Sequence, residues 1–205
     1  MTEKIDLEYD FDRLFSIPMH SLFIDNFDAM RNELIDYVYN LKEKDVDGRK
    51  ASNRNGYQSQ PFIIDNPDDV LHNLLISLIS NIPAFKQNVK INCDAWVNIN
   101  PPKSHNVKHC HPGCDLAGVL WIKTPEKCGD ILFYSPFDFT SYREIHSYKE
   151  DFKKETKFYQ HYRYTPKEGM MLLFPSHLQH KVEPNQTDED RISVSFNLCL
   201  SNVER

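Results

Sequence analysis

The pattern of apolar and polar positions divides the chain near residue 90. Before that point apolar residues recur at spacings of three and four, so the first ninety residues read as mostly helical. Met30, Leu34, Tyr37, Val38 and Leu41 predict an amphipathic helix from about Ala29 to Lys44, with Asp25 and Asp28 as candidate caps. A polar stretch over residues 42–60 carries the turn signals Asp47-Gly48 and Asn55-Gly56. Pro67 and Asp68 then open a second helix, striped by Val70, Leu71, Leu74, Leu75, Leu78 and Ile79 and stopping near Pro83.

After residue 90 the alternation shortens to every second position, which is strand patterning. Strands are expected near 91–99, 106–111, 116–124, 129–134, 156–164, 169–174, 179–183 and 190–200. Many short strands with few helices between them indicate an antiparallel sandwich or barrel. The segment between Ser135 and Glu155, rich in Phe, Tyr, Lys and Asp, reads as a long functional or mobile loop. The expected organisation is one domain over 1–205, with 1–90 as helical support and 91–200 as a β-barrel core.

Two of these strands have divided faces. Ile192, Val194, Phe196, Leu198 and Leu200 share one side of the last strand, and Arg191, Ser193, Ser195, Asn197 and Cys199 share the other. Ile91, Cys93, Ala95, Val97 and Ile99 likewise oppose Asn92, Asp94, Trp96, Asn98 and Asn100. A polar face of this kind is either surface or the lining of a wet site inside a barrel. Helices that need an apolar partner face favour the second.

Composition narrows the classes. Thirty acidic against 24 basic residues give a net charge of −6 over 205 residues, which argues against bulk nucleic-acid binding. Thirteen Phe, ten Tyr and two Trp supply a core. No run approaches the roughly 20 apolar residues of a membrane helix, and Met1 to Asp6 lacks a secretory pattern. Five irregularly spaced cysteines suggest a reducing, cytoplasmic setting. Cys110 and Cys114 flank a histidine cluster, but no second cysteine pair completes a closed structural zinc site.

Nine histidines stand out. In extended chain His109 and His111 project to one side, roughly 7 Å apart at the backbone, and two imidazoles so placed can share a metal ion. A third candidate comes from His177 or His180. Imidazoles with open positions suit iron, copper or zinc rather than calcium. Arg191 follows eleven residues after His180, with Ser193 on the same face. A guanidinium there either grips a ligand carboxylate bidentately or forms an internal salt bridge to an Asp or Glu.

Three stretches now add up to a resemblance. They are Trp96-Val97-Asn98-Ile99-Asn100, then His109-Cys110-His111-Pro112 with Leu116-Ala117-Gly118-Val119-Leu120-Trp121, then Leu173-Phe174-Pro175-Ser176 through Arg191-Ile192-Ser193-Val194-Ser195-Phe196-Asn197. Together they resemble the Fe(II)- and 2-oxoglutarate-dependent oxygenases of the double-stranded β-helix fold, more narrowly a group found in bacteria and tailed phages. Ser52 to Ser59 is similar to that group's segment before the barrel.

The resemblance implies a jelly-roll or cupin-like barrel buttressed by N-terminal helices. It also implies Fe(II) as cofactor and 2-oxoglutarate as co-substrate, with hydroxylation of an unidentified small-molecule or peptide substrate and release of succinate and CO2. His109 takes the first ligand position and His180 the distal one. Arg191, helped by Ser193 and Asn98, would hold 2-oxoglutarate.

The usual acid two residues after the first histidine is replaced here by His111; the aspartyl/asparaginyl hydroxylases also lack that acid, so its loss does not exclude oxygenase chemistry. His111 is the expected third ligand, with Asp115 as alternative if a turn at Pro112-Gly113 folds it back. Trp96, Asn98 and Asn197 would line the pocket, and the Phe137–Phe158 region, with Phe139, Tyr142 and Tyr148, would form a substrate lid. His105 and His177 are expected near the site or at the surface. The resemblance suggests a protein acting in the cytoplasm, phage-encoded or bacterial. The rival readings are a cupin-like metal-binding module without turnover, and a structural scaffold of phage or host.

Overall fold

The first helix, α1 (Asp28–Lys44), forms where its apolar spacing predicts, with Leu34 and Val38 fully buried. Lys42 and Lys44 complement the dipole at its end. Neither expected cap acts: the helix starts from the backbone of Phe27 without a side-chain cap. Burial of the Phe27 ring, packed against Gly169, anchors this end instead. The second helix, α2 (Val70–Ser80), is capped by Asp69, whose carboxylate accepts from the N–H groups of Leu71 and His72. Leu71, Leu75 and Ile79 form its buried stripe. The computed structural model describes residues 9–13, 15–86, 88–137 and 143–202.

The strands are β1 (His20–Phe23), β2 (Asn53–Arg54), β3 (Tyr57–Gln58), β4 (Phe62–Ile63), β5 (Val89–Asn100), β6 (His105–His109), β7 (Leu116–Lys123), β8 (Ile131–Tyr134), β9 (His161–Tyr164), β10 (Met170–Pro175), β11 (His180–Val182) and β12 (Arg191–Asn202). Among the described residues they form two facing sheets. The larger runs β1-β10-β7-β12-β5-β3, with β4 also on β5, and the smaller runs β2-β6-β11-β8-β9. Every pairing is antiparallel.

The outer face of the large sheet carries the helices. Ala95, Val97, Ile99, Val194, Phe196 and Leu198 pack there with Leu34, Val38, Leu71 and Leu75. Each fully buried Leu, Val or Phe contributes about 1.5–3 kcal/mol. Gly118 is obligatory in this layer, because a Cβ there would sit 2.2 Å from the Phe196 ring. Between the sheets a second cluster gathers Ala117, Val119, Trp121, Phe133, Leu172 and Phe174. The opposite end of that interior, lined by β5 and β12, is polar.

All eight expected strands of the second half exist, with altered ends. The early region holds four strands beside its two helices. Three of these are two residues long, too short to show alternation. The expected strand 156–164 begins only at His161; α3 (Glu150–Thr156) precedes it, supported by the i,i+3 pairs Glu150–Lys153 and Asp151–Lys154. A short 3-10 turn, Arg143–His146, also occupies the expected loop. Strand β6 stops at His109 rather than reaching His111. The His111 N–H is drawn to the Ser176 carbonyl at 2.9 Å, and Pro112 has no N–H to continue the ladder. No helix among the described residues is long and apolar enough to cross a membrane.

Candidate functional site

His109 and His180 are direct partners across β6 and β11, so their side chains share a face. His111 reaches them from beyond the strand. Ring centroids lie 4.3 Å apart for His109–His180, 5.1 Å for His109–His111 and 5.2 Å for His111–His180. One nitrogen from each ring lies within 4.8 Å of the others.

Each imidazole is oriented by its Nδ1. That of His109 donates to the Val107 carbonyl at 2.7 Å, that of His180 to the Leu178 carbonyl at 2.9 Å, and that of His111 to Oδ1 of Asn197 at 2.9 Å. A carbonyl oxygen only accepts, so Nδ1 carries the proton and Nε2 keeps its lone pair. Burial pushes all three pKa values down, His111 to about 4 and His180 to about 3, while the hydrogen bonds oppose the shift. Three neutral imidazoles presenting lone pairs at one point suit a divalent transition metal such as Fe(II).

The trio opens on a cavity of about 500 Å³ between the sheets. Its walls include Trp96, Asn98, Asn197, Arg191 and Ser193, so the expected pocket residues come together there. The Trp96 ring stacks on His111 at 5.8 Å and 20°. Phe133 and Phe174 pack around His180, with centroids 5.6 and 4.9 Å from its ring.

Arg191 is 1% exposed. Its Nη1 donates to the carbonyls of Cys128, Gly129 and Glu183, and no carboxylate among the described residues pairs with it. Burial lowers its pKa only to about 10, so it stays cationic at neutral pH. The internal salt bridge weighed from sequence is therefore not formed among the described residues. Nη2 of Arg191, Nδ2 of Asn100 and Oγ of Ser104 are buried without a partner among the described residues.

Asn100 is the register partner of Arg191, and both line the cavity. A buried cation beside unpaired donors fits a carboxylate such as that of 2-oxoglutarate. Gly56 packs closely against this pair, since a Cβ would lie 2.9 Å from Asn100 Nδ2 and 3.4 Å from Ser104 Cβ. Asn100 lay on the polar face read from sequence, but its pairing with Arg191 was not legible. Ser104 gave no signal.

Other expected residues lie elsewhere. Asp115 is exposed and off the cavity wall, its Oδ2 accepting from the Leu200 N–H at 2.7 Å; the turn at Pro112-Gly113 does not return it to the histidines. His177 is exposed, and His105 is not on the cavity wall. Tyr142 and Phe139 fall outside the described residues. Phe137, Tyr148, Phe152 and Phe158 line a separate cavity of about 750 Å³ with Phe11 and Tyr162, so the described part of the expected lid does not cover the histidines. Cys110 lines the histidine cavity, but no cysteine joins the cluster; all five are free.

Comparison with known proteins agrees with this geometry. The family described as "Putative 2OG-Fe(II) oxygenase" matches residues 94–197, just over half the chain. No curated protein matches the sequence. A Pseudomonas putida prolyl-4-hydroxylase superposes with a TM-score of 0.62 at 12% identity, over 91% of this chain and 94% of its own. A Trichoplax adhaerens prolyl hydroxylase, in complex with a hypoxia inducible factor peptide fragment, gives 0.58 at 17% identity, over 87% and 83%. The carbocyclase SnoK from nogalamycin biosynthesis gives 0.59 at 10% identity, over 89% and 79%. The two sheets are thus a double-stranded β-helix. With residues 94–197 matching its family, the chain belongs to the 2OG-Fe(II) oxygenases, oxidoreductases that use Fe(II) and 2-oxoglutarate.

Proposed function

We propose that the protein hydroxylates a small molecule or a peptide side chain, with His109, His111 and His180 as the iron ligands. The observation that carries this reading is the shared cavity, where three Nδ1-locked imidazoles and a buried, half-paired arginine meet. Fe(II) with 2-oxoglutarate supplies the oxidising power: one atom of dioxygen enters a substrate C–H bond, the other ends in succinate, and CO2 is released.

The protein's own groups hold and orient. The three Nδ1–H bonds keep every Nε2 aimed inward, so binding needs little reorganisation. Arg191, held by three carbonyls, grips the far carboxylate of the co-substrate with Nη2, aided by Ser193, Asn98 and Asn100. Phe133 and Phe174 exclude water behind His180. Trp96 and Asn197 form the wall met by the substrate, and a cavity of this size accepts a metabolite or a single side chain beside the co-substrate.

The test is succinate release by the purified chain with Fe(II) and 2-oxoglutarate under air, against a panel of amino acids, peptides and small metabolites. Failure both to bind and to decarboxylate 2-oxoglutarate would leave the reading of a metal-binding module without turnover. Arg191→Ala is expected to weaken 2-oxoglutarate binding on the order of 100-fold, measured by calorimetry, while metal affinity holds. Loss of the metal instead would overturn the role given to Arg191.

A further inference from the structure

Two of the three histidines are fixed by backbone close by in sequence. His109 and His180 each donate Nδ1–H to the carbonyl two residues earlier, a neutral and local partner. His111 lies past the end of β6 and has no such support. Its seat is built from the large sheet.

Asn197 and Asp94 are register partners on β12 and β5, so their side chains emerge on one face. Oδ1 of Asn197 accepts from His111 Nδ1 at 2.9 Å, and its Nδ2 donates to Oδ2 of Asp94 at 3.3 Å. A carboxylate only accepts, so this contact also fixes which way the Asn197 amide points. Trp96, two residues from Asp94 on the same face, stacks against the other side of the seat.

The geometry points to Asp94 as a remote anionic partner of the metal centre, acting on His111 through Asn197. This rests on the reading of His111 as third ligand. A site of three neutral imidazoles leaves the charge of a divalent ion uncompensated by its ligands. His111 stands where an acid is usual, and of the three clustered histidines it is His111 whose Nδ1 leads, through Asn197, to a carboxylate. The negative charge is not lost from the site but moved two links outward.

The chain of hydrogen bonds polarises in one direction. Asp94 draws on the amide N–H, the amide oxygen becomes a better acceptor, and the His111 Nδ1–H bond strengthens, which raises the basicity of Nε2. Asp94 and Asn197 are therefore positioning residues: neither touches the metal, and both set how well His111 binds it.

Co(II) titration of the metal-free full chain, followed by its ligand-field absorption, tests this without turnover. Asp94→Asn keeps shape and removes charge, and is expected to weaken Co(II) binding about tenfold and to shift the bands; Asn197→Ala is expected to cost about 10–100-fold. The double exchange Asp94→Asn/Asn197→Asp puts the carboxylate directly on His111 with an amide behind it. It should recover tight binding, a result that a purely structural role for Asp94 does not produce.

Failure of the double exchange to recover, or wild-type affinity and spectrum in Asp94→Asn, overturns the relay. His111→Ala separates the two levels. If it loses affinity while Asp94→Asn does not, the relay alone is wrong. If His111→Ala keeps the wild-type affinity and bands, the third-ligand reading fails and the relay with it.

Discussion

The interior between the two sheets is built from the same kinds of strand at both ends, yet one end is apolar and the other polar. Along β7 and β10 the inward residues are Ala117, Val119, Trp121, Leu172 and Phe174, all buried and apolar, with Val119, Trp121 and Phe174 forming the apolar side of the cavity wall. Along β5 and β12 they are Asp94, Trp96, Asn98, Asn100, Arg191, Ser193 and Asn197, facing a cavity. Outward, both pairs contribute apolar residues to the layer under the helices.

The apolar end therefore follows the usual rule of burial. The polar end departs from it at a cost: its strands and the loop after β5 hold the three buried side-chain atoms without partners among the described residues. An unsatisfied buried donor costs about 1–3 kcal/mol. Stability comes from one end and is given up at the other, where a ligand can return it.

The largest expected effect tests the apolar end. Leu172 is fully buried, and Leu172→Ala should lower the unfolding free energy by about 2–5 kcal/mol in urea denaturation. Co(II) affinity of the folded protein should stay at the wild-type value. A parallel loss of metal binding would mean that the two ends respond as one unit.

A smaller effect is expected at Asn100, on the polar wall. Its Nδ2 is buried and unpaired, so Asn100→Ala removes a donor that does nothing for the ligand-free fold. Affinity for 2-oxoglutarate should fall about tenfold by calorimetry, with thermal stability of the ligand-free protein unchanged or raised. A lowered melting temperature with unchanged affinity would place Asn100 among the structural residues.

The same contrast explains what was legible in the sequence. Strands β5 and β12 are each twelve residues long, so alternation showed both faces and set Arg191, Ser193, Asn98 and Asn197 together. His109 and His111 were legible as neighbours, and His180 through its distance from Arg191. Register was not, because pairing is set between segments almost a hundred residues apart. Hence Asn100 opposite Arg191, and Asp94 opposite Asn197, emerge only from the folded chain.

Period-two reasoning also placed His111 on a strand that ends before it, although the ring still reaches the cluster. Asp115 stood as the alternative ligand only if the turn at Pro112-Gly113 folded it back, but its carboxylate is held by a backbone N–H on β12. Strands β2 to β4 exist because β6 and β5 pair with them, a tertiary cause that local pattern cannot carry.

Ser193 offers the sharpest contrast with Leu172, since the effect expected on the fold is the smallest. It is 6% exposed, lies on the cavity wall, and pairs in register with Asn98 on one side and Trp121 on the other. Replacing its hydroxyl by hydrogen removes little volume and leaves a methyl group that packs as readily. Ser193→Ala should therefore change the unfolding free energy by no more than about 0.5 kcal/mol. On the proposed reading the hydroxyl has a different value, as a donor to the co-substrate carboxylate. Its loss should raise the 2-oxoglutarate dissociation constant about three- to tenfold. A buried strand residue that is nearly silent in denaturation and audible in ligand titration belongs to the cavity, whereas the reverse result would assign Ser193 to the packed interior and move the boundary between the two ends one strand position inward.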